Sequence, residues 1–249
     1  MLYIEKGRVP AEVLAKVNDI KRSPEWRSIQ EGDTNAVRLQ FDMLPKEQIR
    51  ESLIKEQHGL CAYCMKRIHN KGLSTTIEHF VPLSKDKDSA LEYSNMLAVC
   101  DGGKNMSVEG KRILCCDACK KDEDEMTVNP LNKYMMDKIS YKTNGRIYTE
   151  PYDKKIEEDI NYILCLNGKL DRNGKTVSDT TTEIILGRKR AYEWCDAFIR
   201  KLKDKRKCTS SRIKKKMEEI YNEDERREYA GVILFFLNRK YKELVSRGL

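Results

Sequence analysis

Apolar residues return at helical spacing near the start of the chain, and the pattern predicts a helix over Val9–Ile20 and another over Lys46–Gln57. A polar stretch around Ser23–Thr34, containing Gly32, joins them. Gly59 is a stop signal for the second helix, placed just before a pair of cysteines. From Leu60 to about Leu131 the sequence reads as short strands, turns and cysteines, closed by Asn129-Pro130. Between Tyr141 and Thr149, Asn144-Gly145 stands among alternating side chains and predicts a two-residue hairpin turn. Asn167-Gly168 and Asn173-Gly174 predict further turns. Beyond Thr181 the pattern is helical to the end, and the run Val232–Leu237 after Gly231 predicts a buried terminal helix. The expected fold is mainly α with a small α+β centre, flanked by helical N- and C-terminal regions. Its divisions fall at 1–57, 58–135 and 136–249.

The 249 residues suit one large domain or two small ones, and a chain of that size can build a core without disulfides. Charged residues reach 35%, yet 39% are hydrophobic, so a folded and heavily solvated protein is expected rather than a disordered one. The longest apolar run, Ala230–Leu237, is far short of the roughly 20 residues of a membrane span. The N-terminal residues lack the apolar core of a signal peptide, so the expected location is cytoplasmic.

The net charge of +8 is local. Residues 183–216 hold 13 lysines and arginines against four acids, a balance of +9 that leaves the remainder near −1. The sequence predicts one basic helix there, with Ile184, Ala191, Cys195 and Leu202 on its apolar side. Arg188, Lys189, Arg200, Lys203 and Lys207 fall on the other side. That stripe is either an ordinary solvated face or a track for nucleic-acid phosphates.

Nine cysteines are an odd number in a chain with no export signal, which argues against a disulfide framework. Cys165, Cys195 and Cys208 are scattered and read as plain thiols. The others gather in Cys61-Ala-Tyr-Cys64, Cys100, Cys115 and Cys116-Asp-Ala-Cys119, with two pairs at the spacing that suits a tetrahedral zinc. Spacing alone selects Cys61, Cys64, Cys116 and Cys119. Between the pairs stand Glu78-His79-Phe80-Val-Pro82 and Asn95-Met-Leu-Ala-Val-Cys100.

Together with Cys116-Asp117-x-x-Lys120 and Asn129-Pro130-Leu131, this succession resembles the core of the HNH endonucleases. The wording is most similar to the HNH effector of Septu-type and retron-linked bacterial anti-phage systems. The resemblance covers Leu60–Leu131, under a third of the chain. It implies a ββα-metal finger holding one divalent cation, Mg²⁺ or Mn²⁺, beside a structural Zn²⁺. It further implies an ABC/SMC-type ATPase partner, with a retron reverse transcriptase and its nucleic acid in some systems.

On this resemblance the zinc ligands are Cys61, Cys64, Cys100 and Cys116, with Cys115 a substitute for Cys116. His79 is the expected general base, since imidazole takes a proton near neutral pH. Glu78 and Asp117 are the expected cation ligands, Asp117 lying on the helix of the finger. Alternation along a strand would turn Glu78 away from the face that His79 presents. Asn95 is expected to tie the strands and orient His79. Lys120 and Lys121 are either phosphate contacts or surface lysines.

Three features depart from the family pattern. Fifteen residues separate Cys100 from Cys116, Glu78 replaces the aspartate common before the histidine, and Asp117 replaces asparagine or histidine. Two carboxylates should make cleavage strictly metal-dependent. The implied function is hydrolysis of DNA phosphodiesters, with RNA, tRNA included, left open. The alternatives are a catalytically inactive zinc-stabilised module that binds nucleic acid or a partner, and a cysteine redox protein.

Overall fold

The computed structural model describes residues 1–72, 74–104, 114–121, 125–170, 176–178 and 183–248. It is mainly α-helical with small two-stranded sheets. The predicted helices are present as α1 (Ala11–Arg22) and α4 (Lys46–Glu56). The segment between them is not simply a polar connection: it holds α2 (Pro24–Ser28) and α3 (Thr34–Asp42). Both have start signals. Ser23 accepts from the Trp26 amide with Pro24 in the first helical position, and Asp33 accepts from the Ala36 amide at 3.0 Å. Trp26 and the i, i+4 pair Val37 and Phe41 are buried, so these short helices are fixed by packing more than by length.

The centre is one antiparallel pair, β1 (Thr75–His79) with β2 (Met96–Cys100), in the register Glu78↔Leu97 and His79↔Met96. All five residues of β2 are buried, which explains an apolar run in place of alternation. Helix α4 packs on both strands, and its Ile49 and Leu53 are fully buried. At its end Gln57 is buried, and its carboxamide accepts from Ala98 N (2.8 Å) and donates to Ala98 O (2.7 Å), completing the outer edge of β2.

Further along lie α5 (Lys133–Asp137), the hairpin β3 (Ile139–Tyr141) and β4 (Ile147–Thr149), and α6 (Lys154–Glu158). The hairpin is present, but its connection is longer than two residues. Gly145 N donates to Lys142 O and Lys142 N to Arg146 O, a turn closed by Gly145 at φ +88°. A Cβ on Gly145 would lie 2.2 Å from Ile185 O, so the glycine also lets the C-terminal helices approach. Asn167-Gly168 forms a turn in which Gly168 N donates to Cys165 O. The expected turn at Asn173-Gly174 lies outside the described residues. Strand β5 (Lys169–Leu170) pairs with β6 (Thr176–Ser178).

The expected single basic helix is two, α7 (Ile184–Asp204) and α8 (Ser210–Tyr221), broken where Arg206 takes φ +53°. They pack on α9 (Ala230–Ser246), which buries Val232, Ile233 and Leu237 as the apolar run predicts. Among the described residues no helix is long and apolar enough to cross a membrane.

Candidate metal and acid–histidine centres

Two centres share one turn. The first is the group Cys61, Cys64, Cys100 and Cys116, whose sulfurs lie within 4.8 Å of one another and are all buried. Cys61 and Cys64 occupy a knuckle in which Cys61 N donates to Lys66 O (2.9 Å) and Met65 N to Cys61 O (3.1 Å). The knuckle is docked on β2 by the Ala62 amide, which donates to Ala98 O. Cys100 ends β2. Cys116 opens a one-turn 3-10 helix, Cys116–Ala118, and its amide donates to Leu164 O. The Asp101–Gly103 turn fits against Cys115, where a Cβ on Gly102 would meet Cys115 O at 2.2 Å.

Four ligands at about 2.3 Å around a tetrahedral ion are about 3.8 Å apart. The sulfur–sulfur distances here are 3.6 Å (Cys64–Cys100), 3.8 Å (Cys100–Cys116) and 4.0 Å (Cys61–Cys116). The donor set therefore fits a metal ion, and it is the set expected from the motif register. Cys119, which spacing alone would select, stands outside it and is only half-buried. Hydrogen bonds from Cys115, Cys116, Cys61 and Cys64 hold the Cys100 thiol well below its usual range, while Cys100 pushes Cys64 and Cys116 up. Burial works against the Lys66 ammonium, yet Cys64, Cys100 and Cys115 hold it above the usual lysine range.

The second centre is a cavity of about 320 Å³ bordered by Glu78, His79, Asp117, Lys120, Lys121 and, from α3, Arg38. Asp117 follows Cys116 directly, so the turn that offers a thiol on one side offers a carboxylate on the other. The sequence expects Asp117 on a helix; among the described residues it sits on that single 3-10 turn, with no α-helix between it and α5. Alternation separates Glu78 from His79, yet consecutive residues Thr76–His79 all border the cavity, which runs along the open edge of β1.

His79 is 8% exposed and its ring meets Phe41 edge-on at 4.5 Å. Its Nε2 lies 3.0 Å from Ala90 O. A carbonyl only accepts, so Nε2 carries the hydrogen and Nδ1 is left as the basic nitrogen. Burial lowers the imidazole pKa to about 4, with Lys46, Arg38 and Lys120 adding to the fall and the Ala90 bond opposing it. The ring is thus neutral at physiological pH. The Asn95 side chain makes no hydrogen bond to His79. Its Oδ1 accepts from Val81 N (2.8 Å) and its Nδ2 donates to Val81 O and Ser89 O (both 3.0 Å), pinning both ends of the loop that presents Ala90.

Glu78 is pushed up to about 8 by burial, then by the charge of Asp117 and a hydrogen bond with it; Lys120 opposes the shift. A buried acid held against a second carboxylate makes a donor pair short of positive charge. Lys120 and Tyr63 both donate to Oε1 of Glu78, at 2.6 and 3.3 Å, and neither bond uses Oε2. Lys104 lies 3.5 Å from Asp117 Oδ2. Hard carboxylate oxygens of this kind fit a divalent cation.

Lys120 is neither a surface lysine nor an available phosphate contact. It is buried, and besides Glu78 it donates to His79 O and Phe80 O, so all three of its hydrogens are engaged. Lys121 is exposed at the rim. Arg188 is a second correction. It is 0% exposed, with Nε and Nη2 donating to Gly145 O and Leu166 O, and it bolts α7 to the hairpin instead of facing a ligand. Helical spacing already places Arg188 on the face of Ile184, Ala191 and Cys195, all of them buried, and not on the polar side the sequence reading gave it. Lys189, Arg200, Lys203 and Lys207 are exposed, the first two paired with Glu193 and Asp196. None of residues 183–216 borders the acid–histidine cavity.

Sequence reasoning passes over Arg38 and Phe41. The Asp33 cap and the Val37/Phe41 spacing were the available signals. No protein-family model matches the chain, and no curated protein matches it.

Proposed function

We propose that the chain is a metal-dependent endonuclease of the HNH type, stabilised by a zinc ion on Cys61, Cys64, Cys100 and Cys116. The observation that carries this reading is the meeting of His79, Glu78 and Asp117 on one cavity, with the His79 tautomer set by Ala90 O. Thiolates suit zinc, and a closed four-sulfur site suits a structural role. Glu78 and Asp117 would hold Mg²⁺ or Mn²⁺, which when bound supplies Lewis-acid charge at a phosphate.

His79 Nδ1 takes the proton of the attacking water as its oxygen bonds to phosphorus and one ester oxygen departs. Phe41 and the Ala90 carbonyl hold the ring in place for that transfer, and Asn95 holds the loop. Lys120 favours the charged form of Glu78, against the burial and the Asp117 carboxylate that push its pKa up. The substrate is DNA by default, with RNA open, because a site that handles a phosphodiester does not read the sugar. The action is that of an effector in an anti-phage complex with an ABC/SMC-type ATPase, and in some systems a retron reverse transcriptase.

Co-expression with the genomic neighbours, followed by cleavage assays on DNA and RNA oligonucleotides with Mg²⁺ or Mn²⁺, tests the reading. Cutting of either polymer that stops in excess chelator supports it, and no cutting under any condition counts against it. A second reading is favoured by one contact: Lys120 neutralises Glu78 without any cation, as in a binding module that has no catalysis. That module would show no Mn²⁺ binding at Glu78 and Asp117.

A further inference from the structure

We propose that Arg38 of α3 is the residue that holds the scissile phosphate. The proposal rests on the phosphodiesterase reading of the cavity and adds to it the side chain that meets the substrate's charge.

The cavity is bordered by four cations, Arg38, Lys104, Lys120 and Lys121, and a fifth, Lys46, stands over the Phe41 ring that also borders it. Most are already committed. Lys120 is saturated by Glu78 and two carbonyls. Lys104 lies 3.5 Å from Asp117. Lys46 is 2.7 Å from Asp42 and stands over the Phe41 ring at 3.4 Å. Arg38 differs: among the described residues no carboxylate or other acceptor pairs with it. Arg38 and His79 border the same cavity, so the guanidinium and the general base share one space.

An uncommitted guanidinium at the border of the cavity that holds the group activating water has the chemistry to receive a phosphodiester. Its planar fork can donate two parallel hydrogen bonds to the non-bridging oxygens, which an ammonium cannot match. Position supports the role. Phe41 lies one turn further along α3 and is buried against His79, so the helix that carries Arg38 is anchored to the reacting group. Arg38 itself is exposed, so its replacement should leave the fold intact.

The test compares wild type, Arg38→Ala and Arg38→Lys in two measurements. One is binding of a thymidine dinucleotide, a single phosphodiester, by NMR titration with Ca²⁺ present. The other is cleavage of labelled oligonucleotides with Mg²⁺ or Mn²⁺. Arg38→Ala is expected to weaken dinucleotide binding and lower kcat/KM by about 10–100-fold, the range for a hydrogen bond to a charged group. Arg38→Lys should recover part of that loss, with metal content and Tm unchanged in both variants. Dinucleotide binding that depends on Arg38 supports the proposal whether or not turnover is seen. Cleavage and binding within twofold of wild type in Arg38→Ala would overturn it while leaving the nuclease reading standing. A wild-type protein that neither binds the dinucleotide nor cuts would remove both.

Discussion

The cysteine group and the acid–histidine cavity are built back to back on Cys116 and Asp117, and they solve opposite problems. The cysteines form a closed set of four buried sulfurs within 4.8 Å of one another, the number of donors that a tetrahedral ion takes. The cavity is an open set, in which two acids share too little positive charge and one histidine is left with a basic nitrogen. A closed set serves stability and an open one serves chemistry. The shared turn means that whatever fixes Cys116 also fixes Asp117, so the first centre positions the second.

That asymmetry can be broken most sharply from the cysteine side. Cys100→Ser should release the metal and cost about 5 kcal/mol or more, read as lost zinc and a collapsed thermal transition. Cys119→Ser should keep both metal and fold; the reverse pattern would reassign the ligands. Asp117→Ala should act on the other centre alone. Mn²⁺ binding is expected to vanish and cleavage to fall by at least 100-fold, while zinc content stays at the wild-type value.

A pH series separates the centres without metal removal. Glu78 titrates near 8 in the fold against an ordinary 4.5, so the folded state binds the extra proton between those values. Its contribution to stability is complete below 4.5 and is lost as the pH rises through 8. His79, lowered from 6.5 to about 4, has the opposite sign: stability rises with pH between those limits. The difference in unfolding free energy between wild type and Glu78→Gln cancels the histidine and cysteine contributions. It should fall as pH rises towards 8, and added Mn²⁺ should flatten it.

The smallest effects lie outside both centres. Replacing Lys203 and Lys207 by alanine should leave stability within about 0.5 kcal/mol and lower the salt slope of nucleic-acid binding by about 0.9 per lost phosphate contact. Arg188→Ala should do the reverse, costing about 2–4 kcal/mol with the salt slope unchanged.

The parts legible in the sequence were those fixed by local rules. The flanks of α1 and α4, the buried run in α9, and the grouping of Cys61, Cys64, Cys100 and Cys116 all follow from periodicity or motif register. The parts that were not legible depend on tertiary contact. Helix α3 is short and capped by one aspartate, and only burial of Val37 and Phe41 against the centre makes it a helix. Arg188 shares the helix face of Ile184, Ala191 and Cys195, so spacing gives its side of the helix, but not the two carbonyls from distant turns that receive its guanidinium. Lys120 follows Asp117 like a surface residue and is instead the counter-ion of Glu78. Spacing predicts which side chains could meet a ligand, whereas backbone carbonyls and neighbouring acids decide which of them are spent within the protein.

The central claim is that His79 activates water at a divalent-cation centre that the zinc group only supports. It is tested most directly by cleavage of labelled DNA and RNA by wild type and His79→Ala, each assayed with Mn²⁺ and with excess chelator, zinc content being measured on the same samples. The expected result is Mn²⁺-dependent cutting by wild type and a loss of 10²–10⁴-fold in His79→Ala at equal zinc. Cutting by His79→Ala at the wild-type rate, or by wild type in chelator while zinc is retained, would contradict it.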